Sequence, residues 1–244
     1  MKALILAAGY GKRLQPITNS IPKSMVEVNG TPLLVNALNI LAELKISEIG
    51  IVVGHKAQYI REKIGNEWKS IPITYYENSR YLETNNVYSL FKASEFCTDD
   101  MLMIECDLFY RKEMVQALLN GTGDCSILVS RFNKDTMDGT VIECDGDRAK
   151  TLILGKWQDD GFDYTNCYKT VNMYKFSADF VKVYIKLIEW YVCNMGENSY
   201  YEKVLGSLMF LREKNIRVVN VPETMWCEID DETDLMRARR QFSN

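Results

Sequence analysis

Lys12, Arg13 and Lys23 place three cations just after an uncharged apolar run, Ala3-Leu4-Ile5-Leu6-Ala7-Ala8, with Gly9 and Gly11 at the junction. Such a run reads as a strand buried on both faces, and the glycines let the backbone turn sharply and approach a ligand closely. Backbone N–H groups in a turn of this kind, flanked by positive side chains, cradle polyphosphate. The common phosphate loops do not fit. A P-loop needs four residues between its glycines and a Ser or Thr after its Lys, while the dinucleotide fingerprint needs a third Gly where Leu14 stands, which argues against a dinucleotide-dependent oxidoreductase. Carboxylates form the second group. Asp107 follows the apolar run from Met101 to Glu105 and Cys106, and Glu228 and Asp230 precede a basic final helix. An acidic residue at the end of a buried strand is costly unless it meets a cation or hydrogen-bond donors. Mg²⁺ on a nucleoside triphosphate is one such partner for Asp107, and capping the helix expected over Lys112 to Leu119 is the other use of that side chain.

Composition narrows the classes. At 244 residues, about half of them apolar, the chain can bury a sizeable core. Its net charge of −4 with mixed signs argues against a nucleic-acid partner. No apolar stretch approaches the ~20 residues of a membrane span, and the chain enters its first strand without a signal peptide, so a cytoplasmic location is expected. Seven cysteines without a C-x-x-C pair read as reduced core thiols. The single histidine, His55, makes a Ser-His-Asp arrangement or a His metal cluster implausible.

Periodicity gives the elements that must position these groups. Leu33, Leu34, Ala37, Leu38, Leu41 and Leu44 recur at helical spacing within 31–45, an amphipathic helix packed on the first strand. Ile49 to Val53 is a second buried strand ending at Gly54-His55, and a helix is expected over Gln58 to Lys69. Alternating strands and helices imply a mostly parallel sheet with ligands outside the carboxyl ends of its strands. Gly54 and His55 then lie by the Gly9 crevice, His55 either facing solvent or touching a ligand. After a short strand at Ile73 to Tyr76, Thr84-Asn85-Asn86 leads into a helix, serving as N-cap residues or as amides that read a base edge. Asp124 to Ser130 and Thr140 to Cys144 are strands, with Asp145-Gly146-Asp147 turning into Ala149 to Leu154. Tyr168 to Phe176 alternates like a half-buried strand, with Lys169 on the apolar face beside Val171 and Met173; a lysine there needs an anionic partner or solvent. Ser177 caps a helix from Ala178 to Val192, Tyr200-Tyr201-Glu202 opens another, Ile216 to Val221 is a strand, and Asp231 is a candidate cap of the final helix, Leu235 to Phe242.

The pattern L-A-A-G-x-G-x-R-L followed by Pro22-Lys23 resembles the signature of nucleotidyltransferases that activate phosphorylated small molecules with an NTP. T-N-N-x-Y-S-L, from Thr84 to Leu90, is similar to cytidylyltransferases of phosphocholine or 2-aminoethylphosphonate. Sugar-1-phosphate nucleotidyltransferases carry a Gln and a Gly-x-Ala pattern in this region, from which the chain departs. Met137-Asp138-Gly139-Thr140 and Y-K-T-V-N-x-Y, from Tyr168 to Tyr174, resemble the phosphonate enzymes.

The resemblance implies an α/β fold of the Rossmann-like nucleotidyltransferase type, with a mixed, mostly parallel sheet of about seven strands flanked by helices. It implies one domain over residues 1–244, with an acceptor-side lobe over 131–176. It also implies CMP transfer from CTP to a small phosphonate or phosphate, 2-aminoethylphosphonate first and phosphocholine next, with release of pyrophosphate. A sugar-1-phosphate nucleotidyltransferase and a non-catalytic nucleotide-sensing module are the alternatives; the joint presence of loop cations and carboxylates favours an enzyme. By the same resemblance, Lys23, Arg13 and Lys12 act on the triphosphate, and Asp107, Asp230 and then Glu228 hold Mg²⁺. Leu6, Ala7, Ala8, Gly9, Gly11, Gly54, Thr84, Asn85, Ser89 and Cys106 contact the nucleotide. For the acceptor the resemblance points to Lys169 at the anion end and to Asp138, while residue chemistry offers Tyr200 and Tyr201 as aromatics, or Glu202 as a carboxylate, for a cationic end. A phosphonate or phosphate with a second pKa near ~6 is mostly dianionic at pH 7, so the reaction needs no general base.

Overall fold

The computed structural model describes residues 1–243. The first half runs β1 (Lys2–Ala7), the short paired strands β2 (Glu27–Val28) and β3 (Thr31–Pro32), α1 (Leu33–Glu43), β4 (Glu48–Val53), α2 (Ala57–Ile64), β5 (Glu67–Trp68), β6 (Ile71–Glu77), α3 (Asn86–Lys92) and β7 (Met101–Glu105). There follow β8 (Leu108–Tyr110), α4 (Lys112–Leu119), β9 (Cys125–Arg131), the hairpin of β10 (Val141–Asp145) and β11 (Arg148–Ile153), and β12 (Cys167–Phe176). The chain closes with α5 (Ala178–Met195), α6 (Tyr201–Leu211), β13 (Ile216–Asn220), β14 (Trp226–Glu228) and α7 (Glu232–Gln241). Among the described residues no helix is long and apolar enough to cross a membrane.

Ten strands form the main sheet, in the order β10-β11-β13-β9-β12-β7-β1-β4-β6-β5, against the seven expected. Pairing is parallel through β7, β1, β4 and β6, and antiparallel where β12 meets β7 and β9. The strands between residues 141 and 176 continue this same sheet. Side chains alternate between two cores: Leu4, Leu6, Met103 and Tyr174 pack on one face, and Ala3, Ile5, Ile104, Val171 and Met173 on the other. The run at β1 is therefore buried on both faces, as its lack of charge requires.

Two expectations are corrected here. The helix over Gln58 to Lys69 stops at Ile64, because Gly65 takes φ 78° at its end and Glu67–Trp68 pairs with β6. Strand β12 is not half-buried but covered on both faces, and its register shifts between Thr170 and Tyr174, where Asn172 adopts φ 55°.

The parallel strands bring three loops to one edge. Cys106 N–H donates to the Leu6 carbonyl (3.1 Å) and His55 N–H to the Ala8 carbonyl (3.2 Å), so the ends of β1, β4 and β7 are tied together. A third core of Leu14, Val28, Leu33, Phe109, Ile229 and Leu235 packs the turn after Gly11 against α7 and the β8–β14 pair. That packing brings a C-terminal segment to the loop after β1.

Candidate functional site

Lys23 opens a short 3₁₀ turn behind Pro22, and its ammonium stands between two carboxylates from distant parts of the chain. Nζ lies 3.1 Å from Asp107 Oδ2 and 2.7 Å from Asp230 Oδ1. The other oxygen of Asp230, Oδ2, meets Arg13 Nη2 at 2.8 Å. The backbone ties the two acids directly, since Ile229 N–H donates to the Asp107 carbonyl at 2.8 Å. Burial pulls the Lys23 ammonium down, but Asp107 and Asp230 outweigh it and hold the group above the ordinary lysine range. Asp230 is the mirror case: burial pushes its carboxyl up, while Lys23 and Arg13 hold it below the usual range. Asp107 does not cap α4, where Arg111 takes that position. Asp231 does cap α7, its side chain accepting from Asp234 N–H, which leaves Glu228 and Asp230 to face the site.

Next to this centre is a cleft of about 170 Å³. It is lined by Leu6, Ala7, Ala8 and Gly9 from the end of β1, by Thr84, Asn85 and Ser89 around α3, and by Lys23, Cys106 and Asp107. Gly11 and Gly54 shape the cleft without lining it. Gly11 takes φ 69° and a Cβ there would sit 2.9 Å from Lys23 Cβ, while a Cβ on Gly54 would sit 2.7 Å from the Ala8 carbonyl. A second, larger cleft of about 430 Å³ opens on the far side of Asp230, with Arg13, Asp138, Glu228 and Trp226 in its wall. Here the carboxylate oxygens of Asp138, Glu228 and Asp230 lie within 4.8 Å of one another. A line of alternating charge thus runs from the Gly9 cleft, through Lys23, to an acidic basin.

Residues 3–159 match the MobA-like NTP transferase domain. The chain belongs to that family. CMP-5'-(3-aminopropyl)phosphonate synthase of Streptomyces rubellomurinus is 28% identical over 100% of this chain, which spans 39% of that relative. CTP:phosphoglutamine cytidylyltransferase of Campylobacter jejuni is 28% identical, with 96% of this chain and 98% of the relative covered. The solved CTP:phosphocholine cytidylyltransferase of Streptococcus pneumoniae shares the fold, with a TM-score of 0.76 at 21% identity and 99% of each chain covered.

Several residues stand elsewhere than the sequence suggests. Lys169, expected at an acceptor anion, is buried and paired with Glu228, Nζ to Oε2 3.0 Å. Burial pushes the Glu228 carboxyl up to about 6 against the pull of Lys169. Tyr201 and Glu202 are buried beneath the smaller cleft rather than facing an acceptor. The Tyr201 hydroxyl donates to Glu105 Oε1 at 2.6 Å, and Asn86 Nδ2 bridges Glu105 (3.2 Å) and Glu202 (3.3 Å). Tyr200 is 41% exposed and lines neither cleft, and Lys12 is exposed at the start of its turn.

Among the residues of the smaller cleft that sequence reasoning does not single out are Asn78 and Glu105. Asn78, the residue after β6, donates to the Thr84 hydroxyl (3.0 Å) and the Ser89 hydroxyl (3.1 Å), which fixes both on the cleft wall. Glu105 ends β7 and lines the same cleft. Both occupy the carboxyl end of a parallel strand, the one signal that was available for them.

The acids also fit a divalent cation. Asp107 Oδ1 is buried with no partner while Oδ2 holds Lys23, so a hard oxygen ligand is left free beside Asp230.

Proposed function

We propose that the chain transfers CMP from CTP to a small phosphonate or phosphate acceptor and releases pyrophosphate. The observation that carries the reading is the Lys23 ammonium, held between Asp107 and Asp230 at the mouth of the Gly9 cleft. Similarity to a relative named as a CMP-5'-(3-aminopropyl)phosphonate synthase, of which the chain spans 39%, and along nearly the whole of one named as a CTP:phosphoglutamine cytidylyltransferase supports the donor and the acceptor class.

In this reading the backbone of Ala8 to Gly11 receives the triphosphate, with Arg13 and Lys23 at its edge. The acceptor oxygen attacks the α-phosphorus, a new P–O bond forms, and the bond to the β-phosphate breaks with its electrons leaving on pyrophosphate. Two anions must meet for this, and fixed positive charge lowers the repulsion and keeps the groups in line. Lys23 provides it without reorganising, because its acid partners already fix its position. Asp107, Asp230 and next Glu228 would hold Mg²⁺, which supplies further charge neutralisation on the phosphates when bound. Thr84, Asn85 and Ser89 present the polar groups that meet the base, with Asn78 behind them holding Thr84 and Ser89 in place. All seven cysteines are unpaired, which suits a reducing compartment such as the cytoplasm.

The donor assignment is tested by pyrophosphate release with CTP, UTP, dTTP, ATP and GTP, each with Mg²⁺ and 2-aminoethylphosphonate. CTP is expected to give the highest kcat/KM, and EDTA to stop the reaction. Comparable kcat/KM for UTP or dTTP would sink the assignment.

A further inference from the structure

His55 is the only histidine in the chain, and it stands where three parts of the Gly9 cleft meet. Its backbone N–H reaches the Ala8 carbonyl at 3.2 Å. Its ring makes two polar contacts in opposite directions: Nε2 is 3.4 Å from the Thr18 carbonyl, and Nδ1 is 3.3 Å from the Tyr81 hydroxyl. Tyr10 and Tyr81 pack edge-on against the imidazole, with centroids at 4.5 Å and 5.6 Å. Thr18 in turn donates its hydroxyl to the Gly11 carbonyl at 2.9 Å, closing the loop on itself. One ring therefore joins the loop of Tyr10 to Thr18, the end of β4, and Tyr81, which lines the cleft.

The contacts assign the proton. A carbonyl oxygen only accepts, so Nε2 carries the hydrogen, and Nδ1 is then the acceptor for the Tyr81 hydroxyl. A second proton would turn both nitrogens into donors and reverse the Tyr81 contact. Burial holds the imidazole below its ordinary range against the pull of the Thr18 carbonyl, and Lys56 adds to the lowering. The neutral ring is thus the resting form near pH 7.

We propose that His55 is a positioning residue that holds the phosphate loop and the Tyr81 wall of the nucleotide cleft in register through its neutral, Nε2-protonated ring. The proposal rests on the Gly9 cleft being the nucleotide site. It adds a residue that does not itself line the cleft but braces two residues that do, Ala8 and Tyr81, and it explains how a loop rich in glycine keeps one shape. Lysine or tyrosine at this position would not combine a donor and an acceptor aimed in opposite directions.

The test uses the whole chain with CTP and Mg²⁺, binding being read by calorimetry. His55→Ala, which removes two hydrogen bonds, is expected to weaken CTP binding about tenfold. His55→Gln, whose amide can donate to Thr18 and accept from Tyr81, is expected to stay within about threefold of the wild type. Adding Tyr81→Phe to His55→Ala should cost nothing further, because the shared contact is already gone. Circular dichroism melts of each variant establish that the fold persists. Long-range proton–nitrogen NMR on the sole histidine should show the Nε2-protonated form without any nucleotide. An Nδ1-protonated ring, equal CTP affinity of the wild type and His55→Ala, or a His55→Gln variant as weak as His55→Ala would each overturn the proposal. Failure of the wild type to bind CTP would instead overturn the nucleotide reading, and the NMR tautomer would still judge the latch.

Discussion

Lys23→Ala is expected to lower kcat by about 10²- to 10³-fold, the usual loss of roughly 2.7–4 kcal/mol when one preorganised electrostatic donor is removed. The geometry sharpens the reason. Lys23 Nζ touches Asp107 and Asp230 at once, so its loss removes positive charge from the phosphates and leaves two acids facing each other without the cation that separated them. Lys23→Arg should not restore the rate, because a planar fork cannot occupy the single point between the two oxygens. The check is single-turnover kinetics at saturating CTP, with a thermal melt to confirm the fold. A rate within about threefold of wild type would remove Lys23 from the reaction.

Lys169→Ala is expected to destabilise the fold by about 3–5 kcal/mol, since it strips the partner from a buried acid. Lys169 is 2% exposed and Glu228 depends on it for charge balance. Converting both, as in Lys169→Met with Glu228→Gln, should recover most of the loss, because neither charge is then left uncompensated. The pH dependence has a definite sign. The folded carboxyl of Glu228 is pushed up to about 6 from an ordinary 4.5, so its contribution to stability is present below the lower value and is lost as pH rises through the higher. Removing Lys169 pushes that carboxyl further up, so the variant should be hurt more at pH 8 than at pH 5 in urea titrations. Equal losses at both values would argue that Glu228 relaxes into solvent once its partner is gone.

These two lysines also mark how far the residues could be read in advance. The Gly9 loop was legible because an uncharged run, two glycines and three cations can be seen within one short stretch. Asp107 and Asp230 were legible as acids at the ends of apolar segments, positions where charge demands a partner. The identity of that partner was not, since Lys23 and Asp230 are brought together only by the packing of α7 on the turn after Gly11. For Lys169 the sequence leaves an anionic partner and solvent both open; the partner is Glu228, and nothing local in the sequence couples β12 to β14.

Tyr201 and Glu202 carry the same lesson. The ring of Tyr201 and the carboxylate of Glu202 suggest a cationic ligand, whereas the fold turns them under the cleft to hold Glu105 and Asn86. Strand β5 was lost to a helical reading, because Glu67 and Trp68 become a strand only by pairing with β6. The alternation of β12 was visible, but its second covering layer was not.

2-Aminoethylphosphonate is the acceptor expected from the lining of the larger cleft. Besides the two acids assigned to the metal ion, the larger cleft presents Asp138, Asp135, Glu223 and Asp234 and only one aromatic, Trp226, among the described residues. Tyr201 is buried with its hydroxyl committed to Glu105, and Trp157 is 58% exposed, so neither contributes to an aromatic enclosure there. A primary ammonium has three donors for such acids, whereas a quaternary ammonium has none and favours aromatic faces. The decisive measurement is kcat/KM for 2-aminoethylphosphonate, phosphocholine and glucose 1-phosphate with CTP and Mg²⁺, the product being identified by phosphorus NMR. A CMP-phosphonate product with the highest kcat/KM for 2-aminoethylphosphonate is the predicted result. A preference for phosphocholine above about tenfold, worth some 1.4 kcal/mol, would contradict the reading of the acidic basin, and activity with the sugar phosphate alone would contradict the proposed reaction.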